Sequence, residues 1–308
     1  MHSVGPRNAQ HPLAACLWFD DQAEEAARFY TGILPDGHIT GQSHYPESFD
    51  NPGGKPRGSA LTVEFEVGGQ RFTALNGGPH FTVNPSISFF VHVDSPDEAE
   101  GLATKLVAGG SFLMPLDRYP WSERYAWVID RYGVSWQVFS GEHPGGKKRV
   151  VPCLMFANQV HGRAEEAMQR WVEIFPDSQV ASLERYGASR GPQGKVVHAR
   201  FELMGEELVA MDSHEAEGAT FNEGVSLEIS CRDQAEVDRY WAKLSEGGKP
   251  GPCGWVTDRF GLSWQIVPAQ MSFWMTSPDV AARDRAFAAL LTMGKLDVAR
   301  IQAAFDGP

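Results

Sequence analysis

DRYGVSWQV at residues 130–138 recurs as DRFGLSWQI at residues 258–266, and every difference between the two stretches is a conservative apolar or aromatic change. A match of this length and quality indicates an internal duplication. Three pairs of upstream segments match in the same order along the chain: CLWF at 16–19 with CLMF at 153–156, ILPD at 33–36 with IFPD at 174–177, and FEV at 65–67 with FEL at 201–203. The chain is therefore predicted to contain two copies of one domain.

The domain boundaries follow from where the matches begin and end. We place the first copy at residues 12–141, the second at residues 150–268 and a C-terminal helical tail at residues 272–308. Residues 142–149 are rich in Gly, Lys and Pro, which is typical of a linker. The tail has no counterpart in the duplicated region, and Ser277-Pro278-Asp279 is a helix start signal within it. We expect the tail helices to form a packing or interface element.

Each copy carries the same series of strand and helix signals twice. Residues 13–19 are typical of a strand, and residues 21–33 place Ala and Tyr at helical spacing. Residues 61–67 alternate apolar with polar side chains, which predicts a half-buried strand. The series restarts with a strand at residues 86–93 and a capping box with Pro at its first helical position, at residues 95–98. Each copy is therefore predicted to consist of two paired βαβββ modules, an α+β fold.

Composition excludes several classes of function. The 308 residues are 42% hydrophobic, which is enough to build cores for two domains. A formal charge of −12 argues against nucleic acid or an anionic membrane as the partner. No apolar run approaches the roughly 20 residues of a bilayer-spanning helix, and residues 1–11 lack the apolar core of an export signal. We therefore expect a cytoplasmic protein.

The cysteines do not suggest a disulfide framework or a metal site. They are scattered and form no CxxC pair, at Cys16, Cys153, Cys231 and Cys253. Their expected role is that of small apolar side chains.

Paired βαβββ modules resemble the vicinal oxygen chelate superfamily of glyoxalases, extradiol dioxygenases and antibiotic-resistance proteins. YPWSERY at 119–125 followed by DRYGVSW at 130–136, together with KVVHA at 195–199, is similar to the PhnB-like branch, whose domain is catalogued as 3-demethylubiquinone-9 3-methyltransferase. The resemblance implies tandem glyoxalase-like domains, curved mixed sheets and a ligand in a concave cavity. It does not identify the reaction, because one fold hosts many chemistries.

The resemblance also implies where a metal would be bound, at strand positions that usually carry His and Glu. The corresponding residues here are Ala14, Ala74, Ser88 and Gln137 in the first copy, and Val151, Ala210, Ser226 and Gln265 in the second. Since these side chains offer no carboxylate or imidazole, we expect neither a metal nor any other cofactor. A methyltransferase activity is disfavoured because no GxGxxG turn is present.

Alternate residues of a strand lie on the same face of a sheet. We therefore expect the side chains that alternate with those positions to line the cavities. For the first copy they are Trp18, Thr62, Glu64, Phe90, His92 and Gln137, and for the second Met155, His198, Arg200, Asp212, Glu228 and Gln265. His198 and Glu228 are the predicted catalytic residues. We expect the Glu228 carboxylate to orient the His198 imidazole and to hold its pKa near neutral, so that the pair acts as a general acid and base. The predicted substrate-binding residues are Arg200, Asp212, Gln265, Trp18, Phe90, His92, Trp121 and Gln137.

Several alternatives remain open. The polar residues of the second copy form either an acid/base pair or an ordinary solvated network. The protein is accordingly a metal-independent enzyme of lyase, isomerase or hydrolase type, a sequestering protein whose aromatic walls stack on a planar ligand, or a degenerate domain for assembly. In the first two cases the partner is a small molecule. Because the chain supplies both copies, it is either a monomer with internal pseudo-dimer symmetry or a homodimer.

Overall fold

The structure is a computed structural model that describes residues 12–141, 143, 148–187, 193–214 and 219–307. Its strands are β1 (Leu13–Phe19), β2 (His38–His44), β3 (Ala60–Val67), β4 (Gln70–Asn76), β5 (Ile87–Val93), β6 (Ser111–Tyr119), β7 (Ser122–Ile129), β8 (Ser135–Ser140), β9 (Val150–Phe156), β10 (Gln179–Arg185), β11 (Val196–Leu203), β12 (Glu206–Asp212), β13 (Val225–Cys231), β14 (Lys249–Pro250), β15 (Trp255–Thr257) and β16 (Ser263–Pro268). Its helices are α1 (Ala23–Ile33), α2 (Pro96–Val107), α3 (Ala164–Ile174), α4 (Gln234–Ser245), α5 (Met271–Met275), α6 (Val280–Leu291) and α7 (Val298–Asp306).

The strands form two eight-stranded mixed sheets, and each sheet combines one module from each copy. Sheet A has the order β14-β15-β16-β13-β1-β4-β3-β2, and sheet B has the order β10-β11-β12-β9-β5-β8-β7-β6. The seams are antiparallel, with Leu13 opposite Ile229 in sheet A and Ile87 opposite Leu154 in sheet B. The predicted α+β fold of duplicated βαβββ modules in mixed sheets is confirmed. Each concave face, however, carries residues of both copies.

The seam strands explain why the modules associate. All seven residues of β9 are buried, and six of seven are buried in both β1 and β5. Strands that are apolar on both faces are stable only where neighbours cover both their edges and faces, and the partner module supplies the missing edge. One continuous core then joins the helix-bearing faces of both sheets, and the ring of Phe72 in sheet A contacts that of Phe89 in sheet B at 4.8 Å between centroids.

The repeated DR[YF]G segments are turns held by a buried carboxylate. In the second copy, Asp258 accepts hydrogen bonds from the backbone amides of Phe260 and Leu262 and from the indole nitrogens of Trp171 and Trp264, at 2.8–3.1 Å. Gly261 takes a φ of 86°, a left-handed conformation that favours glycine. Burial raises the pKa of the Asp258 carboxyl. The motif is therefore structural.

The first copy repeats this arrangement around Asp130. Its carboxylate accepts from the amides of Tyr132 and Val134, from the hydroxyl of Tyr30 and from the indole of Trp136. Trp136 and Trp264 are both fully buried on the helix side of their sheets, as predicted.

Asp212 corrects one prediction. Its side chain was expected in the cavity, but it is 1% exposed and accepts hydrogen bonds from the amides of Gly162, Ala164 and Val196, at the start of α3 and β11. The implied ligand position Ala210 lies in the apolar core, so Asp212, two residues on, faces the helices as well. A shift of one residue along a strand reverses the face of every side chain.

The first copy shows the same reversal at the equivalent strand, because Ala74 also lies in the core. Asn76 stands where the second copy has Asp212, and its side-chain oxygen accepts a hydrogen bond from the amide of Ala23 at the start of α1. Both side chains therefore hold the beginning of a helix.

The tail helices α5–α7 pack against sheet A, as the expected packing element. They form a second apolar cluster around Trp274, Phe287 and Ile301, which Tyr45 from the β2–β3 connection joins. Asp284 on α6 is buried and anchors this connection. Among the described residues, no helix is long and apolar enough to cross a membrane.

Candidate functional site

A cavity of about 320 Å³ lies between the concave face of sheet A and the tail helices. Its sheet wall is formed by one module of each copy. The side chains of this wall include Cys16, Trp18, Glu64, Thr73, Glu228, Trp255 and Gln265. Met275, Phe287 and Leu290 of the tail line it from the other side. A largely apolar pocket of this size with a few polar groups is typical of a small-molecule site.

Two carboxyl groups are the acidic side chains of the cavity wall. Glu64 lies on β3 and Glu228 lies on β13, so the two come from different copies. Burial raises the pKa of Glu64, and burial together with the charge of Glu64 raises the pKa of Glu228. The nearby Arg71 opposes both shifts without cancelling them. The hydroxyl of Thr73 donates a hydrogen bond of 3.1 Å to Glu228 Oε2, which orients that carboxyl.

Neighbouring polar groups are held in place by one another. The amide of Gln265 donates to the hydroxyl of Ser226 at 3.0 Å. Burial, with a contribution from the charge of Glu228, raises the pKa of the Cys16 thiol to about 12. Since a thiolate is the reactive form of cysteine, Cys16 is not suited to be a nucleophile.

Two indoles form the aromatic wall. Trp18 packs edge-on against Trp255 with ring centroids 5.8 Å apart. The Trp18 indole donates a hydrogen bond of 2.7 Å to the carbonyl of Gly78. A side chain at Gly77 would place its Cβ 2.2 Å from the Trp18 ring, so glycine is needed there. The position of Trp18 is thus fixed by backbone on one side and by Trp255 on the other.

The concave face of sheet B carries apolar side chains where sheet A has its cavity. Phe90 lies opposite Gln137 in the register of β5 and β8, just as Glu228 lies opposite Gln265 in that of β13 and β16. The Phe90 ring therefore occupies the position in sheet B that the Glu228 carboxyl has in sheet A. It packs with Val151, Cys153 and Val209. Gln137 makes two structural hydrogen bonds, to Ser88 at 2.8 Å and from Tyr125 at 2.7 Å.

A polar cluster lies beside these apolar side chains. Arg200 donates to Glu207 Oε1 at 2.8 Å, and His143 Nε2 lies 3.0 Å from Glu207 Oε2. The ring of His92 stacks on that of His143 at 4.1 Å. Burial, reinforced by His143, lowers the pKa of His92 to about 3, and burial also lowers the pKa of His198. Both histidines are therefore biased towards the neutral form.

The structure separates the predicted catalytic pair. His198 lies on β11 in sheet B and Glu228 lies on β13 in sheet A, so the carboxylate does not orient the imidazole. The prediction that they pair is wrong because modules associate across copies rather than within one. Of the other side chains predicted to line a cavity, Trp18, Thr62, Glu64 and Gln265 join Glu228. Five more predicted residues are in strands of sheet B: Phe90, His92, Gln137, Arg200 and Met155.

Trp121 does not line the cavity of sheet A. It lies at the tip of the β6–β7 hairpin, is 56% exposed and stacks on Tyr119 with centroids 5.2 Å apart. Three groups at the two concave faces had no predicted catalytic or substrate-binding role: Glu64, Trp255 and the His143–Glu207 contact. The alternating pattern of β3 places Glu64 on the cavity side. No local signal in the sequence predicts that Glu64 shares a cavity with Glu228, or that His143 of the linker contacts Glu207.

The donor set does not fit the divalent ion that the superfamily implies. Across the described ranges, no three His, Cys, Asp or Glu side chains are placed together so as to hold a metal. The cavity of sheet A offers two carboxyls and one imidazole, His80, at an exposed position; its other polar side chains are hydroxyls, thiols, indoles and the Gln265 amide. A metal site requires several convergent charged or imidazole donors.

Glu228→Gln is expected to stabilise the folded state increasingly as pH rises above 4.5. In the wild type, the raised pKa means that folded Glu228 retains a proton that the unfolded state has released. The free energy of unfolding therefore falls as pH rises from the ordinary glutamate pKa of 4.5 to the raised pKa of the folded state. Glutamine removes this dependence and still accepts from Thr73. Urea unfolding of both proteins at several pH values measures the effect. Glu123→Gln, at an exposed position, is the control for the loss of one carboxylate.

Comparison with known proteins gives both a family and a fold. The profile of the family described as 3-demethylubiquinone-9 3-methyltransferase matches residues 11–139 and again residues 148–267. A solved structure described as a putative 3-demethylubiquinone-9 3-methyltransferase, PhnB protein, from Bacillus cereus is 32% identical over 42% of this chain and 98% of its own, with a TM-score of 0.38. Glyoxalase I from Zea mays is 13% identical over 84% of this chain and 92% of its own, with a TM-score of 0.53.

The comparison with curated proteins gives no match. The similarity to the maize glyoxalase shows the fold alone, whereas the two profile matches cover most of the chain, one for each copy. The chain therefore belongs to the family described as 3-demethylubiquinone-9 3-methyltransferase.

Proposed function

We propose that the cavity of sheet A binds a small organic molecule with a largely apolar body and that Glu228 and Glu64 exchange a proton with it, in a lyase or isomerase type of reaction without a metal. The observation that carries the proposal is the pair of half-buried carboxyl groups with raised pKa values in the wall of a 320 Å³ cavity. Buried titratable groups that perturb one another in a cleft are typical of functional sites.

The proposed roles follow from the environment of each carboxyl. The charge of Glu64 disfavours ionisation of Glu228, so at intermediate pH one carboxyl holds a proton that it can donate while its neighbour accepts one. Thr73 acts as a positioning residue because its hydroxyl fixes Glu228 Oε2. The apolar side chains of the tail exclude water from the reacting group, which strengthens electrostatic interactions within the cavity.

Deuterium exchange tests proton transfer even while the substrate is unidentified. Small molecules that bind are first identified by ligand-observed NMR, and their C–H signals are then followed in D₂O with the protein present. We expect exchange to slow by about 100-fold in Glu228→Gln, the usual contribution of a general acid or base. Binding should persist because the amide preserves the shape of the side chain.

The Glu123→Gln protein is the matched control, since it removes the same charge from an exposed site on β7. It should exchange at the wild-type rate. Exchange that continues unchanged in Glu228→Gln contradicts the proposed role of that residue.

A sequestering protein is the second candidate, and the Trp18–Trp255 wall favours it, since indoles bind flat ligands through large apolar contacts. In that case molecules bind but no proton exchange occurs in any variant. The methyltransferase activity in the family's description receives no support from the sequence, which lacks a GxGxxG turn. The chain builds both sheets by itself, so the proposed site does not need a second subunit.

A further inference from the structure

The charges around the cavity of sheet A restrict what it can bind. The described residues that line it include Glu64 and Glu228 but neither Lys nor Arg, and His80 is at an exposed position. An anionic ligand would lie beside two carboxyls with no Lys or Arg among the described lining residues, which is costly in a half-buried site. The lining therefore disfavours carboxylates and phosphates as ligands.

One guanidinium lies near the carboxyls but does not balance them. Arg71 is on β4, opposite Glu66, and its charge lowers the pKa of both cavity carboxyls. Two carboxyls facing one guanidinium still leave one negative charge uncompensated when both are ionised. A ligand that brings its own positive charge would complete the balance.

The walls suit a cation attached to a flat apolar body. Trp18 and Trp255 present indole rings beside the carboxyls, and an indole attracts a cation held within about 6 Å of its face. The tail supplies Met275, Phe287 and Leu290 to contact an apolar body. A cavity of roughly 150 Å³ accommodates benzene, so 320 Å³ has room for a two-ring molecule.

We propose that the ligand is an organic cation, a protonated amine on a flat body of one or two rings. The inference rests on the proposed function and specifies its substrate class. The ammonium group lies between Glu64 and Glu228, and the rings pack against Trp18, Trp255 and Phe287. In the free cavity one carboxyl holds a proton, and an ammonium group is held more strongly when that proton has left. Binding therefore releases a proton and becomes tighter as pH rises above the ordinary glutamate pKa.

Three probes with the same rings but different charges test this proposal: 1-naphthylmethylamine, 1-naphthalenemethanol and 1-naphthoic acid. Isothermal titration calorimetry with the full chain measures their affinities near neutral pH, in two buffers of different ionisation enthalpy. We expect the amine to bind about tenfold more tightly than the alcohol and about 100-fold more tightly than the acid. The heat of amine binding should differ between the buffers, since protons are released.

Variants then assign the preference to the carboxyls. Glu228→Gln should weaken amine binding about tenfold and leave alcohol binding within about twofold, because only the amine uses the charge. Glu123→Gln should leave all three affinities within about twofold.

The two proposals fail in different ways. Amine and alcohol binding of equal strength, or tighter binding of the acid, overturns the cation assignment while the cavity remains a ligand site. Absence of binding by all three probes overturns the cavity as a site for such ring systems, and with it this assignment.

Discussion

Asp258→Ala is expected to lower the free energy of unfolding by about 3–5 kcal/mol, because several buried donors lose their acceptor at once. The carboxylate accepts from two backbone amides of its own turn and from the indoles of Trp171 and Trp264, which come from α3 and β16. Each buried donor left without a partner costs about 1–3 kcal/mol. Loss of this side chain therefore affects both the turn and the contact that Trp171 of α3 makes with sheet A.

Urea unfolding followed by tryptophan fluorescence measures the effect of the Asp258 substitution. Asp97→Ala is a suitable control, because Asp97 is exposed in the first turn of α2 and its removal should cost only about 0.3–1 kcal/mol. Asp130→Ala should resemble Asp258→Ala, since Asp130 holds the equivalent turn. Equal stability of the Asp258 and Asp97 variants would contradict the structural role of the repeated motif.

Asp284→Ala is expected to cost about 3 kcal/mol and to release the tail from sheet A. Asp284 Oδ2 accepts from the amides of Glu47 and Ser48 and from the Ser48 hydroxyl, at 2.7–2.9 Å. The adjacent Arg283 forms an ion pair with Glu47 across the same contact. Without the carboxylate, these donors are left unpaired, and the tail is held by its apolar cluster and by contacts beyond α6, such as the hydrogen bonds from the amides of Cys253 and Gly254 to the carbonyls of Met293 and Gly294.

Hydrogen exchange provides the local measurement. The amides of α6 and α7 should exchange faster in Asp284→Ala, while those of β5 and β9 in sheet B should stay protected, because local opening does not require unfolding of the whole protein. Arg300→Ala, at an exposed position on α7, is the control and should not change exchange in either region. Ligand binding should also weaken in Asp284→Ala, since Phe287 and Leu290 line the cavity. Unchanged exchange in α6 would show that Asp284 does not hold the tail.

Much of the local structure is predictable because its signals lie within short segments. The capping box at the start of α2 is present as expected, with Ser95 Oγ accepting from the amide of Glu98 and Pro96 at the first helical position. The alternation in β3 puts Glu64 on the polar side of a half-buried strand. Such patterns depend on the chemistry of neighbouring residues, which the sequence contains in full.

The site depends on contacts between residues far apart in the chain. Glu64 and Glu228 line one cavity because β1 pairs with β13, and sequence patterns within one copy do not indicate that modules will pair across copies. The orientation of Asp212 was mispredicted because strand periodicity specifies alternation but not which alternate set faces the cavity. Two further features arose only from tertiary packing: the covering of sheet A by the tail, and the approach of His143 to Glu207.

By itself, the sequence determined the duplication, the βαβββ modules and the α+β class, because each is encoded in repeated residues and local periodicity. The tertiary structure alone decided which modules share a sheet, which face of β12 meets the helices and which concave face keeps a cavity. These outcomes depend on how buried surfaces fit one another across the two copies. Phe90 on one concave face and Glu228 on the other occupy equivalent positions in the two sheets. The effect of this difference on the two faces is visible only when both sheets are assembled.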